Sequence, residues 1–466
     1  MNGLKKLNDL LFPGAKTYER VGAGKAVALG FQHAFAMSCA TILVPLLTGL
    51  DVGVALLAAG LGTLVFHLCT GGKSPVFLGS SFAFIAALCV VLDPAGAPNS
   101  FGMNRVEQIQ VAMWGVMGAG AIYLVFALLI KLIGMRFIDR LFPPVVRGVG
   151  IAIIGLNLAS SAINNIQNNN GFALFTPGYY WSWVLALLTC LTAVLLSSYG
   201  KGMFKMASIA IALGTGYVVT LIVTATGIAP AGLMNLSAIG QHGWIELPNV
   251  VFPTFDFAGR GSQILRAIGV ISPVAIVTMV EHVGDVYANG SVVGRDFTKS
   301  PGLHRTLLGD GLATSIAALF GAPANTTYGE NTGVLALSRV YDPRVIRIAA
   351  GLAVLLSFCP KFAALISAMP VATMGGVSMV LYGMISAVGV RNVVENKVDF
   401  TSSRNVIIAA LIMVLAIGIT YSEAGAVRIG SVSLSGLAVA AIVGILLNAV
   451  LPGKDYEFGI DEQGDT

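Results

Sequence analysis

The residues able to do chemistry in this chain lie inside otherwise apolar sequence. In the run Glu281-His282-Val283-Gly284-Asp285, the two acids are four residues apart, so on a helix both carboxyls share one face. Two acids on a poorly hydrated face do not both ionise easily, so one is expected to hold a proton. Glu281, Asp285 and His282 are therefore the candidate groups for coupling to protons. The alternatives are capping or pairing near a helix end for Asp285 and a satisfied core histidine for His282. A third acid, Glu330, follows the polar stretch Asn325-Thr326-Thr327-Tyr328-Gly329. That stretch reads as an extended piece, a turn at Gly329 and then a helix. Glu330 then sits on the first helical turn, where free N–H groups and the positive dipole end collect. Asn331 beside it suits a bond to nearby backbone.

A second stretch has the same plan. Val76-Phe77-Leu78-Gly79-Ser80-Ser81-Phe82-Ala83-Phe84 is an extended piece, a small-residue turn and the start of a short helix. Phe82 lies on that first turn, where it either packs or stacks on a flat ring. Tyr328 divides between a structural role and lining a substrate, because its hydroxyl needs a partner when buried. Tyr382 has the same two roles open. Gln32-His33 echoes Glu281-His282 as a polar pair in an apolar run, and both are candidates for lining a site.

These residues need a membrane-spanning frame to hold them. The chain has 466 residues, 56% of them hydrophobic and 11% charged, against about 25% charged in soluble domains. Mean hydropathy is +0.83. The sequence predicts an all-α polytopic membrane protein. Its 56 glycines suit closely packed transmembrane helices. About fourteen spans are expected between residues 24 and 451, including single spans over 263–290 and 346–367. The third (80–92) and tenth (330–341) are too short to cross alone. Short strands before half-helices in spans 3 and 10 are expensive in lipid unless buried in protein or lining a cavity, which points to a transporter site. Spans three and ten are seven apart, as are the polar pairs in spans one and eight. A seven-plus-seven inverted repeat follows, with substrate bound where the halves meet.

Most of the 27 Lys and Arg fall in alternate connections, starting with the N-terminal tail. By the positive-inside rule that side is cytoplasmic, which puts both termini in the cytoplasm of a multi-pass protein of the cytoplasmic membrane. The net charge of +5 is a topology signal, so no nucleic-acid partner is expected. The five cysteines have neither metal-ligand nor disulfide spacing. No removable signal peptide is expected. No zincin, P-loop, nucleotide-binding or catalytic-triad pattern occurs, so the chain reads as neither an enzyme nor a binder of metal or cofactor.

Glu330-Asn331-Thr332-Gly333 through Ser338-Arg339 resembles the signature of the nucleobase–ascorbate transporter family, the nucleobase–cation symporters of the second type. The stretches Gly79 to Phe84, Glu281 to Gly284, Pro301-Gly302-Leu303-His304-Arg305, Asn325 to Asn331 and Met374-Gly375-Gly376-Val377-Ser378 resemble bacterial uracil permeases. The resemblance covers roughly residues 20 to 450. It implies proton-coupled uptake of uracil by an elevator-like movement in a homodimer. It also implies a core domain (24–134 and 263–369) and a gate domain (135–227 and 370–451). The connecting segment is then 228–262 and the cytoplasmic tails 1–23 and 452–466.

By residue, the resemblance implies substrate hydrogen bonds to Glu281 and Glu330, stacking on Phe82, and lining or gating by Tyr328 and Tyr382. Backbone N–H groups near Ser81, Phe82, Gly329 and Glu330 would meet substrate oxygens. Uracil, with two imide N–H donors and two carbonyl acceptors, matches two carboxyls and two helix N-termini. Asp285 stands where the uracil branch usually has His and resembles the purine branch, so a xanthine or urate carrier is the alternative. Ser338 replaces the usual Thr. An anion carrier on the same fold fits less well, because acids face the site.

Overall fold

The computed structural model describes residues 12–14, 18–92, 103–134, 143–167, 172–206, 208–230, 232–234, 239–240, 243–429 and 432–453. Most of the expected N-terminal tail and nearly all of the C-terminal tail lie outside the described residues.

Helices form where apolar runs meet a cap. Helix α1 (Ala23–Thr48) ends at Gly49 in the left-handed conformation. Helix α2 (Val52–Cys69) begins at Asp51, whose carboxyl accepts the Val54 N–H over 2.8 Å. Strand β1 (Leu78–Ser80) runs into a 3-10 turn at Phe82–Phe84 and then α3 (Ile85–Val91). Asn104 and Glu107 form a reciprocal capping box at the start of α4 (Arg105–Ile133). There follow α5 (Pro144–Gln167), α6 (Pro177–Tyr199) and α7 (Ser208–Ala225).

The second half runs α8 (Phe257–Ile271), α9 (Val274–Val293), α10 (Leu303–Phe320), β2 (Asn325–Thr327) and α11 (Gly329–Ser338). Then come α12 (Pro343–Ser357), α13 (Pro360–Ser367), α14 (Val371–Glu395) and α15 (Ser403–Thr420). The hairpin β3 (Ala426–Ile429) and β4 (Val432–Ser435) precedes α16 (Gly436–Val450). Among the described residues, eight helical stretches are long and apolar enough to cross a membrane, counting α8 and α9 together. The bent pair α12–α13 makes a ninth if it is one span.

Three boundaries differ from the sequence expectation. The span expected over 263–290 is two helices that meet at Ser272-Pro273, where proline has no N–H to continue the ladder. The connecting segment expected to reach 262 ends at Asp256, which caps α8 by accepting the Gly259 N–H over 2.9 Å. The span expected over 346–367 turns by 89° between α12 and α13, and Pro360 opens the second piece.

Helix α10 packs on α2 and α4, α12 on α1 and α2, and α8 on α4. Separately, α14 runs along α5 and α6, α7 packs on α6, and α15 and α16 pack on each other and on α5. Small residues allow the closest approaches. A Cβ added at Gly389 of α14 would stand 2.2 Å from the Ala152 backbone nitrogen of α5. Leu187 and Leu191 of α6, Ile222 of α7 and Val414 of α15 are exposed on the perimeter, as lipid-facing side chains should be.

An extended segment is bolted across the ends of several helices. Glu246 N–H bonds Phe358 O at 3.1 Å, Val251 N–H bonds Phe320 O at 3.3 Å, and the Trp114 indole bonds Thr254 O at 2.6 Å. Phe12, Gly14 and Tyr18 of the N-terminal region also pack onto the helices. Phe12 lies under Arg347, Gly14 N–H bonds Gly71 O, and the Tyr18 hydroxyl donates to Lys73 O. Burial, opposed by Arg295 beside it, pushes the Tyr18 hydroxyl up to about 12, so it stays a neutral donor.

Candidate functional site

The two extended stretches pair with each other. Strands β1 and β2 are antiparallel, with Leu78 opposite Thr327, Gly79 opposite Thr326 and Ser80 opposite Asn325. The ladder continues past both ends, through Ser81 N–H to Ala324 O (2.9 Å) and Tyr328 N–H to Phe77 O (3.0 Å). All six strand residues are buried. An isolated extended piece at that depth would strand its polar backbone, and the pairing removes that cost.

Side chains from neighbouring helices satisfy the outer edges. The Thr63 hydroxyl donates to Leu78 O (3.1 Å) and accepts from Leu78 N–H (2.9 Å). Thr314 donates to Asn325 O, and the Asn325 amide donates to Ala58 O. The Tyr328 hydroxyl donates to Ser80 O over 2.9 Å and lies 3.1 Å from the Thr41 hydroxyl. Its ring covers Gly79, where an added Cβ would meet ring carbon at 2.5 Å. The hydroxyl of Tyr328 is thus engaged in holding the strand pair.

Each strand feeds a helix start that has no side-chain cap, at Ser81 before the 3-10 turn and at Tyr328 before α11. The first N–H groups of Phe82 and Gly329 therefore lie at two uncapped helix beginnings, where anionic or carbonyl oxygens bind well.

Helix α9 runs past both. Thr327 donates its hydroxyl to Asp285 Oδ2 over 2.8 Å. One turn on, the Asn289 amide donates to Thr332 Oγ1 over 3.2 Å. Glu281, one turn before Asp285, is half-buried and within electrostatic reach of Tyr123. The Glu330 side chain lies outside the described residues, although its backbone belongs to the first turn of α11.

The other face of α9 carries a fully buried polar cluster. His282 Nε2 is 3.0 Å from the Thr306 hydroxyl, and its Nδ1 is 2.9 Å from Asp310 Oδ2, close enough for an ion pair but not aligned as a hydrogen bond. The rings of Phe66 and Tyr123 close on His282 edge-on. Tyr123 in turn donates to Thr278, one turn earlier on α9. Neither Asp310 nor Tyr123 is among the residues singled out from sequence. Asp310 carried a signal, as an acid in the apolar run that became α10. Tyr123 carried none.

Asn331 does not bond local backbone. Its amide nitrogen donates to the His33 backbone oxygen (3.2 Å) and lies 3.1 Å from His33 Nδ1, joining α11 to α1. The carbonyl can only accept, so the amide nitrogen faces His33, ring Nδ1 accepts, and the imidazole proton sits on Nε2. Among the described residues that nitrogen is buried with no hydrogen-bond partner. Gln32 is half-buried beside it.

Phe82 is half-buried and meets the ring of Tyr382 edge to face, with centroids 6.4 Å apart at 80°. Tyr382 is buried and brings α14 to the 3-10 turn. The structure thus gathers Ser81, Phe82, Tyr328, Gly329, Asp285, Asn331, His33 and Tyr382 around one strand crossing. His282 turns away into the cluster with Asp310. Among the described residues no group of three or more His, Cys, Asp or Glu could hold a metal ion. Cys69, Cys190 and Cys359 are free thiols, and the Cys89 thiol donates to Leu47 O over 3.8 Å.

Comparison with known proteins gives a consistent picture. The sequence model of a family described as the Permease family matches residues 24–425. The chain is 42% identical over 441 residues to the uracil permease of Bacillus caldolyticus, across 94% of each chain. It is 38% identical over 442 residues to the uracil permease of Bacillus subtilis, again across 94% of each. The uracil permease of Escherichia coli (strain K12) is 35% identical over 437 residues, 93% of this chain and 92% of that one. Among solved structures, the transmembrane domain of the cyanobacterial bicarbonate transporter BicA superposes with a TM-score of 0.60 at 14% identity, over 92% of this chain and 98% of that one. SLC26A9 gives 0.66 at 15% identity, over 96% of this chain and 68% of that one. At such identities these two speak for the fold alone.

Proposed function

The chain belongs to the Permease family, as a relative of bacterial uracil permeases, and from that premise we propose that it carries uracil across the cytoplasmic membrane, coupled to protons, by alternating access. It is a transporter and not an enzyme, since its relatives are permeases. The observation that carries the reading is the β1–β2 pairing, which sets two uncapped helix starts back to back beside the acids of α9.

Uracil presents imide N–H groups and carbonyl oxygens around one flat ring. In this reading the carboxyls of Glu281 and Glu330 accept from the N–H groups, and backbone N–H groups at Ser81, Phe82, Gly329 and Glu330 donate to the oxygens. Phe82 stacks on the ring, with Tyr382 bracing Phe82 from behind and Tyr328 fixing the crossing. Glu281 carries the coupled proton, with Asp285 and His282 as the other titratable groups of α9, and Gln32, His33 and Asn331 line the far side.

We take the fourteen segments as a seven-plus-seven inverted repeat. The helices packed around α2 and α10 form a core (24–134 and 263–369), and those packed around α5 and α14 form a gate (135–227 and 370–451). The partition is supported by which helices pack together. The assembly we propose is a homodimer with both termini cytoplasmic.

Asp285 is the feature that favours a xanthine or urate carrier. Against that, its carboxyl is engaged by Thr327, a scaffold contact that needs no purine. The deciding experiment is uptake of labelled uracil by proteoliposomes with and without an imposed pH gradient. Uptake driven by an inward proton gradient, lost in Glu281→Ala at normal protein levels, is expected. Uptake indifferent to the gradient would remove the coupling. Competition of labelled uracil uptake by xanthine, hypoxanthine or urate at lower concentrations than unlabelled uracil requires would move the chain to the purine branch.

A further inference from the structure

Residues 243–256 form neither helix nor strand, and with Phe257 they carry an apolar surface that the fold leaves uncovered. Trp244, Ile245, Leu247, Phe252, Phe255 and Phe257 are each 53–85% exposed. Large apolar side chains exposed in such a run mark an interaction surface. The backbone beneath them is fixed. Glu246 and Val251 bond Phe358 and Phe320, at the ends of α12 and α10, and Thr254 O accepts from the Trp114 indole of α4. Val250 packs inward with Ala317 and Ala322, and Pro253 is buried.

Depth and continuity say what covers this surface. Trp114 is nine residues beyond the start of α4, about 13 Å along it. Helix α4 has 29 residues and is about 43 Å long, so it overhangs a hydrocarbon layer of about 30 Å at both ends. The indole of Trp114 therefore stands near one edge of that layer. Phe255 and Phe257 pack edge-on against it, with centroids 6.0 and 5.2 Å away. Leu308 and Leu319, three turns apart on one face of α10, are exposed below the Phe320 contact, and Leu355 is exposed one turn before Phe358. The strip thus continues into apolar side chains on the helices it crosses. Glu246, Asn249 and Asp256 of the same segment are also exposed. Extended backbone facing lipid tails would strand its polar groups, so the segment belongs at the interface and not in the hydrocarbon. The Lys361 ammonium lies 4.6 Å from the centre of the Trp244 ring, and rings and snorkelling lysines gather at headgroup level.

We propose that this strip is a lipid-binding surface that seats the ends of α4, α10 and α12 in one interfacial zone of the bilayer. The six apolar side chains enter among the headgroups and upper acyl carbons, while Glu246, Asn249 and Asp256 stay with water and headgroups. A bilayer fits this surface better than a second copy of the chain does, because the exposed residues follow the helix ends in a line rather than forming a compact patch. The inference holds whichever solute is carried.

The test is fluorescence quenching of the full-length protein in phosphatidylcholine vesicles. The difference in emission between wild type and Trp244→Phe isolates the Trp244 ring. Phe252→Trp in the Trp244→Phe background reports the middle of the strip. Thermal melting of each form checks that it is folded, and both substitutions fall on exposed side chains. Lipid brominated high on its acyl chains should remove most of the emission at both positions. Lipid brominated near the bilayer centre should remove less, and acrylamide in the water little. Emission quenched by acrylamide and untouched by either bromolipid would put the strip in water and overturn the proposal. Emission reached by neither quencher at any protein-to-lipid ratio would overturn it too, and would give the surface to a second copy of the chain.

Discussion

Thr327 donates its hydroxyl to Asp285 over 2.8 Å, and this one bond ties strand β2 to α9. It fixes how far Glu281, a turn earlier on α9, stands from the uncapped start of α11. A buried hydrogen bond contributes about 0.5–1.5 kcal/mol. Thr327→Val keeps shape and removes the donor. It is expected to lower the melting temperature of the purified protein and weaken uracil affinity, while Thr327→Ser retains both. Equal behaviour of the Val and Ser variants in a binding titration would leave the bond without consequence.

Tyr328 is expected to act through the scaffold. Tyr328→Phe leaves the ring over Gly79 and removes the hydroxyl bond to Ser80 O. A lost buried hydrogen bond costs about 1 kcal/mol, plus the penalty of an unpaired carbonyl. Lower thermal stability with an unchanged ranking of uracil, thymine and xanthine as competitors is the expected result. A changed ranking would instead put the hydroxyl in contact with substrate.

The Phe82–Tyr382 contact links the 3-10 turn to α14. Edge-to-face aromatic pairs contribute about 0.5–1.5 kcal/mol beyond burial. Tyr382→Phe keeps the pair and should bind uracil as the wild type does. Tyr382→Ala frees Phe82 and should weaken binding about three- to tenfold. Identical affinities for the two variants would show that Phe82 needs no brace.

The family was legible because its motifs are local: Glu330 to Gly333 and Gly79 to Phe84 are read without knowing what they touch. The helix breaks were only partly legible. Pro273 and Pro360 mark two of them in the sequence, yet both apolar runs continue past the proline, and hydropathy alone merges the pieces. Partner choice was not legible. Nothing near Asn331 says that its amide reaches His33, nearly three hundred residues earlier, because spacing encodes faces of one helix and not contacts between two. Thr63 and Thr314 look like ordinary small residues of apolar helices until the strand edges they satisfy are in view.

Asp310 and His282 offer the sharpest test of what the buried cluster does. Both are fully enclosed and stand 2.9 Å apart, with Thr306 on the other side of the imidazole. Removing one member of a buried pair leaves the other uncompensated, at about 3–5 kcal/mol, whereas replacing both with apolar groups is often nearly neutral. Asp310→Leu and His282→Phe should therefore each destabilise the purified protein severely, and the double variant should recover part of the loss. If the pair only holds α9 against α10, the recovered double variant should also recover uracil uptake. If it takes part in moving the proton, stability should return while gradient-driven uptake does not. Measuring melting temperature and uptake on the same four proteins separates these outcomes, and additive losses in the double variant would show that the two residues are not coupled at all.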